Sequence, residues 1–440
     1  MSGDYASFLA AKQRRHGVYG FDVTADAVSA HLHRWQREGV AWAVRKGRGA
    51  LWWSTGLGKT RAQIEWARLS SRPTTDGAGR GLIVAPLAVC EQTVREAVAI
   101  GVEATYVRSL EQAPDTGLLV TNYEMVEHFD PAALDAVVLD EASILKQSDG
   151  KTRTRLIKRF AQVPRRLSCT ATPAPNDPEE LTNQAEFLGV MPRTEMLAAY
   201  FVHDDSGWRL KRHAVQPMYR WMSTWAMALR FPSDLGYSDE GYILPTLNII
   251  PEIVNVEMEA PDGHLFRADI GGVGGRAEVR RETLEARVAR AADLVAAESA
   301  EPWLIWTGLN QEAARLADLI PGAVNVLGSW TPEEKAAAYL DFVDGKIQYL
   351  ITKPSMASMG LNFQHCARQI FVGMNDSWEQ WFQAIRRSWR YGQHREVNVH
   401  AVLSHLEAQI ADNVARKGRE ADKMVDALVT AMKSTWGTDR

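Results

Sequence analysis

Apolar residues in this chain gather into short runs, separated by stretches in which apolar positions recur every three or four residues. The first set of runs is 50–53, 81–85, 118–121, 136–139 and 167–170. Continuous apolar runs of this length predict strands buried on both faces, and the helical stretches between them predict crossovers. The pattern therefore reads as a parallel sheet covered by helices. A second set, at 303–307, 324–327, 349–352, 370–372 and 397–402, repeats it. The expected fold class is α/β, with two such sheets in tandem.

Between the two sets the alternation fails. Residues 191–250 carry Trp208, Trp221 and Trp225 among Arg209, Lys211, Arg212 and Arg220. This predicts a helical insertion, read either as an arm that contacts a duplex or as a small cap with buried tryptophans. The glycine-rich run 271–275 reads as a flexible joint. Thr331-Pro332-Glu333-Glu334 opens a helix with an N-cap, a first-turn proline and a capping-box glutamate. Leu406, Ile410, Val414, Met424, Leu428 and Met432 sit at helical spacing. They predict a C-terminal helix packed on the second domain. The expected organisation is a first domain at 1–190, the insertion at 191–250, a second domain at 251–403 and the terminal helix at 404–440.

Composition narrows the class. A chain of 440 residues exceeds a single ordinary core. Its net charge of −4 removes bulk basicity as a route to nucleic acid, so any such binding needs a local groove. The three cysteines, Cys90, Cys169 and Cys366, form no C-x-x-C pair. That argues against a disulfide framework or zinc site and fits a reducing cytoplasm. The first twenty residues lack an apolar export core, and no run approaches the ~20 apolar residues of a membrane span.

Candidate chemistry starts at Ser54-Thr55-Gly56-Leu57-Gly58-Lys59-Thr60, between the first strand and a helix that carries Ile64, Trp66, Ala67 and Leu69. Gly56 and Gly58 let backbone N–H groups close on a phosphate, and the helix N-terminus adds positive potential there. Lys59 is expected to reach the β/γ-phosphates of a nucleotide, and the Thr60 hydroxyl a Mg²⁺ ion. The loop departs from G-x-x-x-x-G-K-[ST] at one place, where Trp53 replaces the first glycine. Asp140 and Glu141 end the fourth strand. A carboxylate there can hold the same Mg²⁺, and its neighbour can orient or deprotonate the attacking water. Gln36, on a helix just before the loop, can donate and accept at once and so match an adenine edge, or be an ordinary surface glutamine. In the second block, Arg387 and Arg390 are expected to share a helix face and act as arginine fingers.

The ordered set of motifs resembles the superfamily-two helicase-type motors, closest to the Swi/Snf-like branch and to its small phage or prophage members. The Gln36 segment is similar to that branch's first motif, and 54–60 to its phosphate loop. Asp140-Glu141-Ala142-Ser143 resembles its Asp-Glu-Ala-His box, with Ser143 in the histidine's place. Thr170-Ala171-Thr172-Pro173 resembles the motif that couples hydrolysis to movement. Met359-Gly360-Leu361-Asn362-Phe363 resembles the fifth motif, and 383–393, from Gln383 through Arg387 and Arg390, the sixth. The resemblance implies two tandem RecA-like domains that use ATP and Mg²⁺. Thr55, Gly56, Leu57, Gly58 and Gly360 would line the nucleotide, and Thr170, Thr172 and Gln383 would couple it to motion. Pro86, Thr121, Asn122, Tyr123 and Asn362 would touch the nucleic-acid backbone. The implied activity is ATP-dependent translocation or helicase action on DNA, duplex by preference. The alternatives are a remodeller that displaces proteins from DNA and a DNA-binding module with a regulatory ATPase. A monomer in the cytoplasm is expected, that of the bacterial host if phage-encoded. The resemblance leaves protein partners unspecified.

Overall fold

In a computed structural model of the chain, residues 19–71, 79–146, 150–205, 207–256, 281–356, 362–373 and 377–436 are described. The run at 271–275 and Gly360 lie outside them. The protein forms two compact units, one of residues 1–242 with 420–440 and one of residues 243–419.

The first unit is built on a seven-stranded sheet. Its strands are β1 (Arg48–Trp53), β2 (Gly81–Ala85), β3 (Ala104–Tyr106), β4 (Leu118–Asn122), β5 (Ala136–Asp140) and β6 (Arg165–Cys169). An antiparallel hairpin, β7 (Phe201–Asp204) and β8 (Gly207–Leu210), stands apart, and β9 (Ala226–Leu229) completes the sheet. The order is β3-β4-β2-β5-β6-β1-β9, and every pairing is parallel. Alternate residues of the same strand enter different cores, as the two-residue period of a strand requires. Trp52, Leu82, Val84, Val137 and Leu139 pack on one face, while Leu51, Trp53, Ile83 and Val138 pack on the other.

The second unit repeats the architecture with β10 (Leu247–Val254), β11 (Trp303–Thr307), β12 (Ala323–Asn325), β13 (Tyr349–Thr352), β14 (Arg368–Val372) and β15 (Val397–Ser404). Its order is β10-β15-β14-β11-β13-β12, again wholly parallel. These are two tandem RecA-like α/β domains. The Thr331 cap forms as its spacing predicts, with Thr331 Oγ1 accepting from the Glu334 N–H and Glu334 reaching back to the Thr331 N–H. A fully buried ion pair, Arg287 to Glu312 at 2.7 Å, ties two of this unit's helices together.

Two expectations change. The 191–250 stretch does contain helices, Arg193–Tyr200 and Val215–Met222, but it also supplies β9, which pairs with β1. Trp221 and Trp225 are buried and stack edge-on in the first unit's core, so they are not free to contact a duplex. Of the three tryptophans, Trp208 alone is exposed, on the hairpin. The terminal helix, Ala408–Trp436, does not pack only on the second unit. Met424, Leu428 and Val429 enter one core of the first unit and Met432 the other. Ion pairs from Lys433 to Asp234 and from Arg230 to Asp426 hold this end to the same unit. The helical period gave the apolar stripe correctly but carried no information about which surface the stripe meets.

Candidate nucleotide site

Three neighbouring strands, β5, β6 and β1, bring their carboxyl ends together, and the loops that follow them carry the predicted chemistry. After β1, Gly56 and Gly58 adopt φ of 90° and 75°, values that a side chain rarely tolerates. The helix Lys59–Ser70 begins directly afterwards, so its free N–H groups point into the loop. The Lys59 ammonium donates to the carbonyls of Trp53 at 2.8 Å and Ser54 at 3.3 Å, spanning the hollow that a phosphate would fill.

Trp53 explains why the loop does without its first glycine. Its ring is fully buried and points away from the loop, packing 5.2 Å from the Trp35 ring. A Cβ on Gly39 would come within 2.6 Å of it, so the helix Arg34–Lys46 lies directly on this tryptophan. Only the backbone of Trp53 faces the loop, and there a side chain costs nothing.

Gln36 is buried, not an ordinary surface residue. Its Nε2 donates to the Leu57 carbonyl at 2.9 Å and its Oε1 accepts from the His33 N–H at 2.8 Å. A Cβ on Gly58 would fall 2.3 Å from that nitrogen. Gln36 thus braces the phosphate loop, and keeps one N–H and one lone pair for a base edge.

Asp140 is the last residue of β5 and is 9 % exposed. Burial pushes its carboxyl above the usual carboxylate range, opposed by the nearby Gln63 amide and the Lys59 ammonium. Glu141 follows with φ of 52°, alone among the described non-glycine residues in the left-handed region. Such a conformation is held against a cost by its surroundings and concentrates at functional sites. After β6, the Thr170 hydroxyl accepts from the Thr172 N–H at 3.0 Å, and both residues are buried. A lone carboxylate, a helix-start hydroxyl and a glycine cradle suit Mg²⁺, which takes few protein ligands and is bound largely through phosphate and water. Among the described residues, no group of three or more potential metal-binding side chains occurs.

Eight residues past Thr172, Glu180 accepts from the backbone N–H and the side-chain amide of Asn176. Burial pushes its carboxyl from the ordinary 4.5 to about 7. Between those values the unfolded chain gives up a proton that the folded chain keeps. Stability therefore falls as pH rises through this window and levels off above it. Replacing Glu180 by Gln is expected to flatten that part of the profile, by up to roughly 3 kcal/mol at pH 7. Urea unfolding of both chains between pH 5 and 8 measures the difference.

Thr121, Asn122 and Tyr123, the residues expected to touch the nucleic-acid backbone, sit at and just past the end of β4. All three residues are buried. The Thr121 hydroxyl donates to the Val107 carbonyl, Asn122 accepts from the Tyr106 hydroxyl, and the Tyr123 hydroxyl donates to the Asp140 carbonyl. These bonds tie the end of β4 to its neighbours in the sheet. Pro86 is half-buried at a helix start, and Asn362 is exposed.

In the second unit, Arg387 and Arg390 do not share a helix. The helix Trp378–Ile385 ends before them, and the chain turns through 386–392. The Phe363 N–H donates to the Arg387 carbonyl at 2.8 Å, and the Trp389 indole N–H to the Pro245 carbonyl at 2.7 Å. Those tertiary bonds, with Ser388 fully buried, outweigh continuation of the helix. Arg387 and Gln383 are half-buried, and burial lowers the Arg390 guanidinium from its ordinary value.

Sequence reasoning passed over Gln63, fully buried one turn after Lys59. Its spacing of four from Lys59 placed it on the loop-facing side of the helix and could have singled it out.

Residues 35–201 match the family model described as SNF2-related domain. No curated protein matches the chain. Among solved structures, the chain is similar to the Sulfolobus solfataricus SWI2/SNF2 ATPase core in complex with dsDNA. The identity is 16%, over 94% of this chain and 96% of that one, with a TM-score of 0.45. No helix among the described residues is long and apolar enough to cross a membrane.

Proposed function

We propose that this chain is a nucleic-acid-dependent ATP hydrolase of the Swi/Snf-like branch of superfamily-two helicase-type proteins and uses ATP to translocate along duplex DNA. The observation that carries the reading is the meeting of the glycine cradle with Lys59, the Asp140–Glu141 pair and the Thr170–Thr172 turn at the carboxyl ends of three adjacent parallel strands. In open α/β sheets that end is where ligands bind.

In this reading the backbone N–H groups of 55–60 cradle the phosphates, and Lys59 turns from its two carbonyl partners to the β/γ-phosphates. Thr60 and Asp140 would hold Mg²⁺, which neutralises charge on those phosphates. Glu141 orients the attacking water and takes its proton. Gln36 accepts and donates at the adenine edge while bracing Leu57. Arg387 and Arg390 of the second unit are proposed as arginine fingers, residues worth on the order of 10³–10⁵ in rate in nucleotide hydrolases generally. Thr170 and Thr172 in the first unit and Gln383 in the second couple hydrolysis to movement, and Pro86 and Asn362 are proposed, each in its own unit, as contacts to the nucleic-acid backbone. Swi/Snf-like motors track duplexes without parting the strands, which favours translocation over unwinding.

The experiment is ATP turnover with closed duplex DNA, single-stranded DNA, RNA or no nucleic acid. Duplex is expected to raise turnover at least as strongly as single strands do. A response to RNA alone contradicts the reading.

A further inference from the structure

Gln63 stands out among the buried polar side chains. It is 0 % exposed, and neither its Nε2 nor its Oε1 makes an aligned hydrogen bond. A buried primary amide left in this way is costly, and few native groups are so placed without a reason. The residue lies four after Lys59 on the helix Lys59–Ser70, which packs against β5 and β6. Its amide sits beside the Asp140 carboxylate and favours that group's charged form. Asp140 itself is nearly buried, and the Glu141 N–H donates to its Oδ1 at 3.1 Å, with the Gln63 amide and the Lys59 ammonium as its other polar neighbours. One carboxylate oxygen is thereby anchored by backbone, and the neighbouring amide is still without a well-aligned partner.

We propose that Gln63 is a positioning residue for Asp140. On loading of the site, its N–H groups hold the carboxylate in the rotamer that meets Mg²⁺, and its Oε1 is the acceptor left for a water of the ion's shell. Outer partners of this kind fix the orientation of a metal ligand, and their loss commonly weakens metal binding 10- to 100-fold. A packing role alone predicts the reverse, because an apolar side chain of the same length would suit a dry site as well or better.

The inference rests on the reading of Asp140 as a metal ligand, and the test separates the two. Binding of a fluorescent ATP analogue to the full chain is titrated with Mg²⁺, and the midpoint for tightening is read for the natural chain, Gln63→Met and Asp140→Asn. Gln63→Met is expected to raise the midpoint about tenfold or more, with Mg²⁺-free binding unchanged and thermal unfolding no lower than that of the natural chain. Asp140→Asn is expected to raise it further. A natural midpoint in Gln63→Met beside a raised one in Asp140→Asn overturns the role of Gln63 and leaves the site reading standing. An unmoved midpoint in both overturns the two together. If Gln63→Met does not fold, Gln63→Leu is titrated against the same two outcomes.

Discussion

Glu141→Gln is expected to bind ATP as the natural chain does and to lose about 10²–10⁴-fold of its DNA-stimulated turnover. The substitution keeps the shape of the side chain and removes its ability to take a proton. Glu141 follows the buried end of β5, in a backbone conformation that no other described non-glycine residue shares. Its N–H is tied to the preceding carboxylate and its carbonyl accepts from the Ile144 N–H, so the turn is fixed from both sides. An enclosure that enforces such a turn fits a side chain whose direction matters more than local comfort. Paired measurements of analogue binding and single-turnover hydrolysis separate the chemical step from binding. Normal turnover in Glu141→Gln contradicts the assignment.

Lys59→Ala is expected to weaken ATP binding about ten- to hundredfold, the worth of a charge-assisted hydrogen bond, and to lower turnover further. The ammonium is held by two backbone carbonyls at the mouth of the loop, already where phosphate charge would arrive. It therefore needs little rearrangement to act, and its charge counts for more as charge develops on the leaving phosphate. The alanine chain loses both the charge and the bridge between Trp53 and Ser54. A Lys59→Ala chain with natural affinity and turnover would show that the loop holds something other than a nucleotide.

Much of this site was legible because strand ends and loop chemistry are local properties. The runs at 81–85, 303–307 and 349–352 coincide with β2, β11 and β13, since apolar residues bounded by turn signals leave few alternatives. The Thr331 cap was readable for the same reason. What escaped was decided by partners distant in the chain. Ala226–Leu229 is a four-residue run with no β-branched residue, and it becomes a strand only because β1 offers an edge. The pattern through Arg387 and Arg390 continues a helix on paper, but bonds to Phe363 and Pro245 end it at Ile385. Thr121, Asn122 and Tyr123 look like phosphate contacts by type, and their burial and their bonds to the sheet and its neighbouring strand ends depend on residues the local pattern does not contain. Gln63 was overlooked because a glutamine on a helix is unremarkable until its burial is known.

The central claim is movement along an intact duplex. A triplex-displacement assay run beside a forked-duplex unwinding assay, with ATP and with a non-hydrolysable analogue, tests it most directly. The account predicts that the third strand is released only with hydrolysable ATP, that the fork stays paired, and that Glu141→Gln releases nothing. Separation of the forked strands without triplex displacement would contradict it.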